Sequence, residues 1–152
     1  MSDVMGRLSR RVATVLLILS AACGGSSPTT PAVSPSVDVA GNWTGTWSFV
    51  TSGVTVTDNV RAVFSVGGIG IVGTWTSDSG PTGTMTFSTL PAGTNVPGTF
   101  TIRTTTVTGE CSAQALMTGV ATGTTMDVTI TSIAGAATCV WATDHRFSLK
   151  KS

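Results

Sequence analysis

From Gly41 to the end of the chain, apolar and polar residues alternate with a period of two between Gly-containing turns. Successive side chains of a strand point to opposite faces, so each alternating run predicts a strand with one apolar side. In residues 41–50, Trp43, Gly45, Trp47 and Phe49 share one parity and Asn42, Thr44, Thr46 and Ser48 the other. Val60, Ala62, Phe64 and Val66 mark a second strand, and Gly67 and Gly68 turn the chain. Ile69, Ile71, Gly73 and Trp75 form a third, ended by the turn-forming residues 77–81. Met85 and Phe87 mark a fourth, after which the Pro- and Gly-rich residues 90–98 read as a loop. Phe100 and Ile102 open a fifth strand that runs to Thr106, and Cys111, Ala113, Ala115 and Met117 a sixth. Met126, Val128 and Ile130 give the cleanest alternation, in the seventh. Cys139, Trp141, Thr143, His145, Phe147 and Leu149 place one parity of an eighth. No stretch repeats apolar residues at helical spacing for three turns.

Eight strands in about 112 residues leave no room for the crossover helices that parallel pairing requires, so the sheet is expected to be antiparallel. A lone sheet would expose its apolar face and two edges. The predicted fold is therefore all-β, an eight-stranded antiparallel up-and-down barrel closed by its first and last strands, with a β-sandwich as the alternative. A barrel of this size is either filled by its own side chains or holds one small ligand. Gly45, Gly73, Ala113 and Ala115, interspersed among large residues, predict open room on one side. The expected cavity lies at the end lined by Trp47, Trp75 and Trp141, and with His145 these are the candidate residues for a small apolar ligand.

Gly41-Asn42-Trp43 and Gly45-Thr46-Trp47 resemble the G-x-W that opens the first strand of lipocalins, and the second also resembles the G-T-W of avidins. In lipocalins that Trp lies under a basic side chain, a role the resemblance assigns to Arg146 or Lys150. The ligands of avidins and fatty-acid-binding proteins do not follow, because both families use a Tyr and this chain has none. Ala40-Gly41-Asn42-Trp43 resembles the A-G-x-W opening of small disulfide-bonded barrels that inhibit periplasmic proteases. That likeness implies a protein-interaction role instead.

The amino-terminal quarter has a different pattern. Arg7, Arg10 and Arg11 precede an apolar or small run over residues 12–22, the order of a secretory signal. Eleven residues cannot span the hydrocarbon, for which a helix needs about 20. Leu19-Ser20-Ala21-Ala22-Cys23, followed by Gly24, resembles the lipobox of bacterial lipoproteins, although Ser20 stands where that family most often has Leu. The resemblance implies cleavage before Cys23, acylation of its thiol, and placement in the cell envelope at the outer membrane. At about 0.8 kcal/mol per buried CH₂, two or three acyl chains anchor a protein almost irreversibly. Residues 24–36 are a chargeless Gly/Ser/Pro/Thr segment with the composition of a tether. The expected organisation is a signal peptide over residues 1–22, lipidated Cys23 and tether over 23–40, and the barrel over 41–152. The whole resembles small Thr/Gly-rich lipoproteins of bacterial envelopes.

Composition narrows the chemistry. With 29 Thr, 18 Gly and a net charge of +1, the chain has no cluster of Lys and Arg that phosphate binding would need, which excludes nucleic acid as a partner. Residues 1–22 hold +3 and −1, so the remainder carries five basic and six acidic side chains. Setting Cys23 aside leaves Cys111 and Cys139, in an exported protein an expected disulfide. A strict meander would set these cysteines two strand spacings of ~4.8 Å apart, beyond the ~7 Å a bridge can span, so one of them must sit in a loop or the barrel must pinch. Neither a metal nor a cofactor is expected, since His145 is the only imidazole. The carboxylates of Asp38, Asp58, Asp78, Glu110, Asp127 and Asp144 are scattered rather than paired, and no nucleophile motif occurs. No catalytic residue is assigned and no enzymatic activity is expected.

Overall fold

The computed structural model describes residues 36–107, 109–135, 139 and 141–152. The expected signal segment over residues 1–22, Cys23 and most of the expected tether lie outside them. Eight strands follow in order: β1 (Gly41–Thr51), β2 (Val54–Gly67), β3 (Gly70–Ser77), β4 (Thr82–Phe87), β5 (Val96–Thr106), β6 (Gly109–Thr122), β7 (Thr125–Gly135) and β8 (Thr143–Lys151). Each pairs antiparallel with the next, and β1 pairs with β8, so the sheet is a closed up-and-down barrel and not a sandwich. The seam runs from Trp43↔Lys151 to Val50↔Thr143 and leaves neither end strand with a free edge along its paired length.

Alternation sets the inside. Trp43, Trp47, Val60, Ala62, Phe64, Trp75, Met85, Phe87, Phe100, Ile102, Phe147 and Leu149 are all buried, on the parity expected of each strand. Two strands begin earlier than the pattern suggests. Val54 and Val56 belong to β2 yet remain exposed, because this hairpin extends past the covered part of the barrel. Val96, Pro97 and Gly98 belong to β5 although Pro and Gly read as strand breakers: Pro97 faces outward, and Gly98 lies against the Phe87 ring. At the other boundary β8 starts at Thr143, later than the parity run from Cys139 suggests, leaving Cys139 and Trp141 in the β7–β8 connection.

One end of the barrel is closed from outside. Val37 N–H donates to the Leu90 carbonyl, Val39 is fully buried, and the Trp43 indole donates to the Val39 carbonyl at 2.9 Å. Residues 36–40, assigned to the tether by composition, thus cap the core, because Val37 and Val39 are the apolar side chains available there. Lys151 secures this cap by donating to the carbonyl and carboxylate of Asp38. Arg146 and Lys150 face outward, so the basic residue at this end is Lys151 rather than either of the two the lipocalin resemblance implies.

The glycines do not open the interior. A Cβ on Gly73 would meet the Phe64 ring at 2.3 Å, and one on Gly119 the Phe87 ring at 2.6 Å. These two glycines are the floor on which rings lie, Phe64 from the adjacent β2 and Phe87 from β4, two strands away from Gly119. Gly45 serves the seam itself, where a Cβ would stand 2.0 Å from the Ser148 carbonyl oxygen. Backbone cannot yield as a flexible side chain does, so Gly45→Ala is expected to force β1 away from β8. The expected cost is about 2 kcal/mol, the usual range for overpacking, read as a lowered melting temperature with the same far-ultraviolet spectrum.

Candidate functional site at one end of the barrel

The candidate residues gather at the end opposite the cap. β1 supplies Trp47 and Phe49, β3 supplies Trp75, and β8 supplies His145 and Phe147. Trp47 lies 5.4 Å from Trp75, 5.9 Å from Phe147 and 4.5 Å from Phe49, measured between ring centroids. Trp75 stacks on Phe100 at 5.5 Å and meets Phe147 edge-on. Such offset and edge-on contacts suit the aromatic quadrupole and add ~0.5–1.5 kcal/mol per pair beyond area burial. The expected cavity position is thus taken up by a continuous cluster of rings in which Trp47, Trp75 and His145 are all buried. Trp141 is half-buried in the β7–β8 connection and packs against the core from there.

His145 has a defined tautomer. The Trp47 indole N–H, a donor only, points at His145 Nδ1 at 3.1 Å, so Nδ1 must accept. Nε2 then carries the proton and donates to the Ala142 carbonyl at 2.9 Å. The imidazole lies beside the Trp47–Phe49 pair and nearly parallel to both rings, with centroids 5.6 and 5.7 Å away. Burial pushes its pKa below the ordinary histidine value, opposed by the Ala142 hydrogen bond and the Asp144 charge. Two indole N–H groups nearby, those of Trp75 and Trp141, are buried without an acceptor in the protein.

The cysteines are brought to bonding distance, with Cα atoms 5.9 Å apart. The geometric objection raised by a strict meander disappears because Cys139 is in the β7–β8 connection, free to approach the start of β6. At the same end, Asp58 of β2 accepts from the Ser77 hydroxyl and the Ser79 backbone N–H. The Ser77 bond first, and Ser79 after it, hold the Asp58 carboxyl down to about 2. These bonds tie the β3–β4 turn to β2. Among the described residues no three His, Cys, Asp or Glu side chains gather as metal ligands would.

A concavity lies over β4–β6. It is an open pocket of about 470 Å³ whose walls include Thr82, Thr84, Thr101, Arg103, Ser112 and Gln114. Thr84 and Thr101 share a hydroxyl hydrogen bond of 2.8 Å across the strands, and Arg103 is paired with Glu110. The pattern of inward Trp residues gave no hint of this pocket, because its polar residues fall on the parity that reads simply as solvent-facing. Comparison with protein-family models, curated proteins and solved structures gave no match.

Proposed function

We propose that this chain is a cell-envelope lipoprotein, anchored by acylated Cys23 at the outer membrane, whose barrel is a non-enzymatic interaction module that engages a partner protein through its outer surface. The observation that carries the interaction role is the ring packing at the end of the barrel: Trp47, Trp75 and Phe147 pack on one another where a ligand would enter, and rings occupy the space beside Gly73 and Gly119. A barrel end packed with rings favours the loops and outer face as the surfaces for recognition, and function belongs to such sites rather than to the fold. The pocket over β4–β6, where hydroxyl, amide and Arg groups stand beside the apolar Ile102, Ala113 and Ala134, suits an extended, uncharged stretch of protein with both amide groups and apolar side chains to offer. The A-G-x-W resemblance to barrel inhibitors of proteases points the same way.

The small-ligand reading retains one supporting observation, the two unpartnered indole N–H groups of Trp75 and Trp141. A ligand with a hydrogen-bond acceptor at that end would satisfy them. Native mass spectrometry of protein purified from its own envelope separates the readings: the interaction role predicts the mass of the protein alone, while a bound small molecule would overturn it. The anchor is tested apart from the barrel. Cys23→Ala is expected to move the protein from the detergent phase to the aqueous phase on partitioning, and retention in detergent would defeat the lipoprotein reading.

A further inference from the structure

Three connections lie at the capped end of the barrel: residues 68–69 between β2 and β3, 88–95 between β4 and β5, and 123–124 between β6 and β7. None of them holds a charged residue, and neither do residues 62–77 or 79–102. The β2–β3 hairpin also stands out beyond its neighbours. Its own ladder continues to Gly67↔Gly70, whereas pairing with β1 stops at Gly41↔Phe64 and pairing with β4 at Ile71↔Phe87. Val66 and Ile69 are therefore left 61% and 84% exposed, although Val66 has the parity that is buried earlier in β2. Outward-facing Val63 and Val72, at diagonal positions across the two strands, continue the apolar surface down the hairpin. The Ser65 hydroxyl donates to the Val72 carbonyl and holds the strands together there. Aliphatic groups on a projecting tip gain free energy by leaving water, and such a patch marks a contact surface.

We propose that the tip of the β2–β3 hairpin rests in a phospholipid surface, with Val66 and Ile69 immersed and the capped end of the barrel facing the membrane. This inference rests on the lipid anchor proposed above. The described chain enters the barrel at that same end, where Ser36 pairs with Pro91 and Val37 with Leu90. Only residues 24–35 separate Cys23 from Ser36, and a chain of that length reaches no more than about 45 Å. An acylated Cys23 thus keeps lipid at high effective concentration around the barrel, and a contact too weak to recruit a free protein becomes occupied. A tip with two aliphatic side chains is a contact of that kind.

Charge selects which end meets the lipid. Val54, Val56 and Val107 are exposed at the open end, but Asp58, Asp78, Glu110 and Asp144 stand there with them and would have to leave water too. Dehydrating those carboxylates costs more than the valines return. Among the described residues, the ionisable groups toward the capped end are Lys150 and Lys151 on β8, Asp127 on β7, and Asp38, which Lys151 holds. Lys150 is exposed there, placed to meet anionic headgroups. The orientation also leaves the pocket over β4–β6, which lies toward the open end, clear of the lipid.

With Cys23 acylated and Cys111 bonded to Cys139, Gly68→Cys gives the full-length protein one free thiol at the tip, where a Cβ meets nothing within 4 Å. A fluorescent label at position 68 is compared with one introduced through Val107→Cys at the open end, each in vesicles of phosphatidylethanolamine and phosphatidylglycerol. Aqueous iodide should quench the label at 68 about fivefold less than the label at 107, as expected for a group sunk into the headgroup region. Adding Ile69→Asp should abolish that protection, and Cys23→Ala protein in vesicle-free solution should show none. Equal quenching at 68 and 107 in protein that enters the detergent phase overturns the orientation and leaves the anchor standing, whereas protein that stays in the aqueous phase overturns both. Protection that survives Ile69→Asp also overturns the immersed tip. Protection at 68 that persists in the vesicle-free Cys23→Ala protein marks a contact with protein, a second copy if it sediments as a dimer, and overturns the lipid contact.

Discussion

Trp75→Ala is expected to destabilise the barrel by about 4 kcal/mol, the range measured for emptying a buried aromatic site. Trp75 is 1% exposed and touches Trp47, Phe100 and Phe147 at once, so its removal takes away transfer free energy and leaves three rings facing a void. Backbone on every side is tied into the closed ladder, which prevents the wall from collapsing into the gap. Against a total stability of roughly 5–15 kcal/mol for a domain, this loss is a large fraction. Urea titration should show a lower midpoint with an unchanged slope, and near-ultraviolet dichroism should lose intensity. Added indole should recover part of the midpoint by filling the vacancy, since apolar cavities of this kind bind small rings.

Converting both Cys111 and Cys139 to Ser is expected to cost about 3.5 kcal/mol, because the bridge closes a loop across a sequence separation of 28. The loss arises mainly in the unfolded chain, which regains the freedom the crosslink removes. The folded barrel keeps its eight strands, since Cys139 lies outside them, so the far-ultraviolet spectrum should survive while thermal unfolding shifts downward. Exchange should rise most at Trp141 and Ala142, the residues that the bridge tethers beside β6. A uniform rise over all strands would show that the crosslink organises the barrel rather than its β7–β8 connection.

The period-two parity carried most of the architecture, because in a closed barrel inside and outside are sharply different solvents and each strand must declare which face is which. It failed where local chemistry and tertiary context disagree. Pro97 and Gly98 read as breakers, yet Pro97 faces outward and a Cβ on Gly98 would meet the Thr86 carbonyl oxygen at 2.5 Å, with Met117 and the Phe87 ring at 2.8 Å. Gly45 and Gly73 read as vacant space, yet that space is occupied by the Ser148 backbone at one and by a ring from β2 at the other. No local pattern says which neighbour will lean over a glycine. The Trp47–His145 bond lies one step further from view. Both residues showed the correct parity, but only the seam register Trp47↔Phe147 brings side chains 98 positions apart into contact. Trp141 and Cys139 continued the parity of β8 without belonging to it, because β8 begins only at Thr143 and the left-handed Asp144 beside that start is something alternation cannot reveal.

Asp58 contributes at lower pH than the histidine. Its depressed pKa means that its stabilisation is present above the usual carboxylate range and is lost as pH falls toward about 2. The burial-lowered His145 works in a higher window, with stability falling as pH drops below ~6.5 and levelling once the folded form is protonated. Two separate acid transitions should therefore appear, and Asp58→Asn should weaken only the lower, to which Asp38, held down by Lys151, also contributes.

The seam between β1 and β8 also governs the order of events when the chain is made. Seven strands can form hairpins with their neighbours as they emerge, all local contacts that close quickly. The ring cannot seal until the nine residues of β8 arrive, because β1 has had no second neighbour until then. Throughout that interval the nascent sheet presents two unpaired edges and an uncovered row of Trp and Phe, the surface most prone to wrong association. The demand for protection during biogenesis is thus concentrated in one late window, and shortening the chain by a single strand would make that window permanent.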